Sequence, residues 1–94
     1  MYSLENILDI LSKKLNITLT KADSSNILAY GYDASNLSLW VLFKRNKLYQ
    51  YMNITKEALD ELELSESKGK WVNANLVKTK KPYKAYEIKI GASS

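Results

Sequence analysis

Residues Leu37 to Asn53 constrain this chain more than any other stretch. Leu39, Val41 and Phe43 fall on one side of an extended chain and Trp40 and Leu42 on the other, so no polar face is left. A period-two run of such residues reads as a strand. Two strands are expected, Leu37 to Lys44 and Leu48 to Asn53. A two-residue type I′ turn between them would set Arg45 at positive φ. A three-residue turn with Asn46 in the left-handed position uses a residue that tolerates it. The longer turn is therefore predicted, and it fixes the register, since a slip of one residue moves every side chain to the other face. Tyr49 and Tyr51 then join Leu39, Val41 and Phe43, while Trp40, Leu42, Leu48 and Met52 face the opposite way. Both faces are apolar, and both need a cover.

The rest of the chain offers two covers. Ser3 is a good N-cap, Leu4, Ile7, Leu8, Leu11 and Leu15 follow at helical spacing, and Asn16 is placed to end the helix. Thr55 can cap a second helix running to about Glu66, with Ala58, Leu59 and Leu62 inward and Asp60, Glu61 and Glu63 outward. Ile27 to Tyr32 reads as a further strand, followed by a turn at Asp33 to Asn36. Ile17 to Thr20 alternates weakly, as a short edge strand would, and Lys21 to Asn26 is turn-like. Ser65 to Lys68 reads as a turn, and Trp71 to Lys81, which has no clear period, as an ordered loop with a basic tail. Pro82 then introduces a last strand, Tyr83 to Ile90, in which Tyr86, Ile88 and Ile90 alternate with Ala85, Glu87 and Lys89. The predicted fold class is α+β: an antiparallel meander with a C-terminal strand, one helix packed on the sheet, and an added N-terminal amphipathic helix. A single domain spans 1–94, with the first helix and a short extension over 1–20.

Ninety-four residues can bury roughly two-thirds of their unfolded surface, which suffices for a core but not for a deep pocket as well. Function is therefore expected on the surface. There is no cysteine and no histidine. Disulfides, Cys/His zinc sites, Ser-His and Cys-His nucleophile pairs and the usual neutral-pH proton carrier are all excluded. A non-catalytic protein without metal or cofactor is the expectation. The N-terminal stretch, with Glu5 and Asp9 among its apolar residues, has neither a signal-peptide pattern nor a membrane-spanning run, so a cytoplasmic protein is expected. The net charge of +4 suits a polyanionic partner.

Six pieces in order, Gly31-Tyr32-Asp33, Leu39-x-Val41-x-Phe43, Arg45-Asn46, Tyr49-x-Tyr51, Ile54-Thr55 and Ser67-x-Gly69-x-Trp71-x-Asn73, resemble the KTSC domain. That module is named after the C-terminal extension of some lysyl-tRNA synthetases and also occurs as free-standing small proteins of bacteria and phages. The resemblance covers residues 25–86 and implies a fold rather than an activity. Asn46 stands where the family often has a turn glycine, and Thr55 where it has the proline that enters a helix. The first helix lies outside the resembling stretch.

No acidic residue occurs between Glu66 and Glu87. Within that tract Lys68, Lys70, Lys78, Lys80, Lys81 and Lys84 are interleaved with Trp71, Tyr83 and Tyr86. Lysines neutralise phosphates and aromatic faces stack on unpaired bases, so this is the composition of a single-strand nucleic-acid surface, for RNA or DNA. Lys44, Arg45 and Lys47 at the hairpin tip would extend it if they lie on the same side. Arg45 is the sole arginine, which leaves little capacity for bidentate guanine readout, so binding should be sequence-tolerant. The competing reading is a solvated lysine loop with its aromatics turned inward. Tyr30, Tyr32, Tyr49 and Tyr51 could build a ligand cradle but are expected to be core, and Asp33 and Asn73 to fix turns. An alternative function of a different class is a phage or mobile-element protein that docks on and inhibits a host nuclease or defence complex. It would use the Trp40, Leu42, Leu48 and Met52 face or the first helix, and that face could instead serve self-association.

Overall fold

The doubly apolar hairpin lies at the centre of a five-stranded antiparallel sheet of order β1-β2-β3-β4-β5. The computed structural model describes residues 4–22, 24 and 26–87. The strands are β1 (Thr20–Lys21), β2 (Ile27–Asp33), β3 (Ser38–Phe43), β4 (Lys47–Tyr51) and β5 (Tyr83–Glu87). Three helices accompany them: α1 (Leu4–Leu15), α2 (Lys56–Leu64) and α3 (Lys68–Val72). The α+β class, the meander, the C-terminal strand and the N-terminal helix are all present. Ser3 and Ile88 to Ile90, for which a cap and strand continuation are predicted, lie outside the described residues.

Leu39, Val41 and Phe43 pair with Tyr51, Tyr49 and Lys47, which is the register of a three-residue turn. The left-handed residue in that turn is Arg45 (φ 68, ψ 25), not Asn46 as expected. The backbone N–H of Lys44 still bonds to the Asn26 carbonyl at 3.2 Å, so the chain stays tied to the β2 side for one more residue and reverses at Arg45.

Two cores result, one on each sheet face. Leu8 and Leu11 of α1, with Leu19, bury Ala29, Trp40, Leu42 and Leu48. On the other face Leu59, Leu62, Val72 and Leu76 pack with Ile27, Tyr30, Leu39, Val41 and Tyr51. The first helix thus covers the Trp40 face from within the chain. It ends as the sequence demands: Asn16 takes φ 58 and the Ile17 N–H reaches back to the Ser12 carbonyl at 3.2 Å, the bond that closes a left-handed helix end. The expected edge strand at Ile17 to Thr20 forms only at Thr20–Lys21. The preceding residues first cross β2 at Gly31, where a Cβ would stand 2.7 Å from the Thr18 carbonyl oxygen.

Thr55 caps α2, its hydroxyl accepting from the Ala58 N–H at 3.2 Å. At the other end Lys68 Nζ donates to the carbonyls of Glu63 and Ser65. The stretch from Trp71, expected as a loop, is instead helical: α3 runs directly into a π-bonded turn, Asn73–Val77, with Lys78 N–H on the Asn73 carbonyl at 2.9 Å. Ser67 caps α3, and Val72 and Leu76, four apart, are both buried. The five-residue offset of the π turn displaces the residues after it from a 3.6-residue period, which hides the helix from a periodicity reading. Among the described residues no helix is long and apolar enough to cross a membrane.

Candidate functional site

The two helices after β4 leave part of their sheet face open. Phe43, Tyr49, Tyr51 and Tyr83 share that face by register, but the helical core sits over Leu39, Val41 and Tyr51. The remaining aromatics floor an open groove of about 830 Å³. Tyr49 meets Phe43 edge-on at 5.3 Å and stacks on Tyr83 at 4.9 Å and 19°. Tyr51 is 2% exposed and Tyr83 54%, so the aromatic row starts in the core and ends with a ring open to solvent. Burial, with Tyr49 and Tyr83 beside it, pushes the Tyr51 phenol up to about 12, so that hydroxyl stays neutral at ordinary pH.

Cations rim both ends of the floor. Lys44, Arg45 and Lys47 come from the β3–β4 turn, and Lys80 and Lys81 from the loop before β5, with Val77 and Pro82 completing the wall. Among the described residues no carboxylate lines the groove, and ion pairs engage Lys13, Lys21 and Lys56 rather than any of these five. Two rim residues are held at left-handed φ without being glycine or asparagine, Arg45 at 68° and Lys80 at 56°. Lys81 Nζ lies 3.5 Å from the Asn53 carbonyl, and the Met52 N–H binds the Pro82 carbonyl at 2.8 Å, so the loop is fixed to the end of β4.

Of the sequence-predicted cations, the fold brings Arg45, Lys47, Lys80 and Lys81 together and leaves Lys68, Lys70, Lys78 and Lys84 out of the groove. Lys68 spends its ammonium on the end of α2. Lys84 pairs with Gln50, whose neighbours in the strand line the groove, so it stands on the opposite sheet face. Trp71 packs against the helical core and borders a separate recess of about 160 Å³. Tyr86 lies on Trp40 at 5.1 Å, its hydroxyl donating to Gln50 Oε1. Trp40, Leu42 and Leu48 are buried beneath α1, and Met52 is half-buried just past β4.

Phe43, Tyr49 and Tyr83 are the residues that sequence reasoning did not assign to one binding floor. Their signal is the cross-strand register, in which Tyr49 and Tyr51 of β4 neighbour Tyr83 of β5. Tyr49 is expected from sequence as core in preference to a ligand cradle shared with Tyr30, Tyr32 and Tyr51.

The motif residues are largely architectural. Both Asp33 carboxylate oxygens accept hydrogen bonds, from the Ser35 hydroxyl at 2.6 Å and N–H at 3.1 Å and from Asn36 Nδ2 at 2.6 Å, which holds its carboxyl below the usual range. A Cβ on Gly69 would collide with Asn26 Oδ1 and Ser24 Oγ, and the Gly69 N–H bonds to that serine at 3.1 Å. The Tyr32 hydroxyl donates to the Ile54 carbonyl at 2.7 Å, and burial, with Glu63 adding, raises the Tyr30 phenol. Asn73, expected at a turn, sits where α3 passes into the π turn, and it is Asn75 whose side chain donates to the Trp71 carbonyl at 2.9 Å.

The model of the KTSC domain family matches residues 23–79, more than half of the chain. Among solved structures, the crystal structure of a KTSC domain protein from Yersinia pestis is similar, with 27% identity and a TM-score of 0.67 over 74% of this chain and 97% of that one. No curated protein matches. The family match begins after α1 and ends before Lys80, Lys81, Pro82 and Tyr83, so most of the groove lies inside the matched stretch and one cationic rim with the outermost ring lies beyond it.

Proposed function

The chain belongs to the KTSC domain family, and from that footing we propose that it is a non-catalytic module that binds single-stranded nucleic acid in the groove, with little regard to sequence. One observation carries the reading: an aromatic floor, lined by no carboxylate among the described residues, lies between two groups of cations. A phosphate backbone is attracted by the rims through counterion release, and an unpaired base finds the open face of Tyr83. A paired base keeps its faces inside the stack, so the floor favours single strands. Every base has a π-face, and a lone arginine gives little edge readout, so preference among bases should be slight.

The test is fluorescence anisotropy with labelled ten-nucleotide single strands and a duplex, at about 50 and about 200 mM salt. Single strands should bind, and log affinity should fall against log salt by about 0.7 per phosphate contact. Tyr83→Ala should weaken binding by about 1 to 3 kcal/mol with little change in melting temperature, because its ring is half in solvent. Lys80→Ala with Lys81→Ala should lower the salt slope, whereas Lys78→Ala, outside the groove, should leave it unchanged. Binding that is insensitive to salt, or equal loss from Lys78→Ala and the groove variants, would reject the proposal.

A further inference from the structure

The two cationic rims stand at opposite ends of one strand. Lys47 begins β4 and pairs with Glu87, while Tyr51 ends it and pairs with Tyr83, the residue that follows Lys80 to Pro82. Four residue steps of antiparallel strand lead from Lys47 to Tyr51, a span of about 14 Å. Tyr49 sits midway, stacked on Tyr83. A ligand that lays one ring on the Tyr49–Tyr83 pair therefore has a cationic group ahead of it and another behind it, both along β4. Lysine stems are long and flexible enough to lean inward from each end.

The geometry points to a site that takes one nucleotide with a phosphate on each side of its base. The strand runs along β4, and the minimal ligand is a nucleoside 3′,5′-bisphosphate. This rests on the single-strand reading and adds to it a direction, a length and a minimal unit. A groove of about 830 Å³ lies within the range of sites that enclose one small molecule, which agrees with a unit of that size. The rims use two different parts of the chain, so each should answer to one phosphate. Arg45 and Lys80, the two left-handed cations, lie on different rims, one at each end of the floor.

Adenosine 3′,5′-bisphosphate, adenosine 5′-monophosphate and adenosine 3′-monophosphate are titrated at low salt against the full chain, alongside a ten-nucleotide single strand. The bisphosphate should bind about tenfold tighter than either monophosphate. Lys44→Gln with Lys47→Gln at one rim, or Lys80→Gln with Lys81→Gln at the other, should each reduce the bisphosphate to the level of a monophosphate. Circular dichroism confirms that each variant is folded, and Lys47→Gln and Lys80→Gln alone replace the pairs if one is not. If the ten-nucleotide strand binds but the bisphosphate gains nothing, or its gain survives loss of a rim, the two-phosphate site is overturned while the single-strand reading stands. If no oligonucleotide binds, both fall.

Discussion

A left-handed φ is uncomfortable for an L-residue with a long side chain, and the groove holds two such residues, Arg45 and Lys80. Leu37, in the turn between β2 and β3, also takes positive φ outside the groove, as do Asn16 and Asn53, whose short polar side chains tolerate it. Strained positions that persist tend to serve something besides stability, and here both present a cation to the same groove. Arg45→Gly separates the two roles. Glycine adopts φ 68 without a Cβ penalty but adds freedom to the unfolded chain, so the net gain should be about 0.5 to 1 kcal/mol, read from a denaturant midpoint at unchanged slope. The same variant should bind single-stranded nucleic acid less well. A variant that is less stable than the parent would show that the arginine side chain, not the backbone, holds the turn.

At the scale of elements, α1 is the cover for the Trp40 face, and it can be pried off. Leu8→Glu with Leu11→Glu places two carboxylates against Trp40, Leu42 and Leu48, which is incompatible with a dry contact. With Trp71→Phe as background, Trp40 emission should shift to the red if the face is wetted, and the mass in solution should rise if the bare face then pairs with another copy. Emission unchanged from the parent would mean that α1 contributes little to that core. The elements whose information is local were legible in the sequence: the two central strands by period two, α2 by Thr55, the end of α1 by Asn16, and the hairpin register by turn length. What was hidden depended on distant partners. Arg45 turns because Lys44 bonds to Asn26, α3 exists because Gly69 fits against Ser24, and the π turn breaks the period that would have revealed it. The groove was the least legible feature. It depends on how β4 meets β5 and on which aromatics the helices fail to cover, and neither is written in one segment.

Across the whole molecule a single sheet separates two cores, and Tyr51 links the helical core to the groove. Its buried phenol is held near 12, above the ordinary value of 10. The unfolded chain therefore loses that proton first. The stability this group contributes is complete below about pH 10 and is lost as the pH climbs through about 12. Melting temperatures of the parent should fall over that window, and Tyr51→Phe should flatten part of the decline. A variant as alkali-sensitive as the parent would assign the loss to other groups. The strand order 1-2-3-4-5 has one more consequence, for the newborn protein. Each strand pairs only with those before and after it in sequence, so the sheet can grow in the order in which a ribosome releases it. Both covers of the sheet, α1 and α2, precede Lys80 in the chain, and Tyr83 follows it. A nascent chain can therefore close its two interiors while still blind to nucleic acid, and its capacity to bind should arrive last, with the final strand.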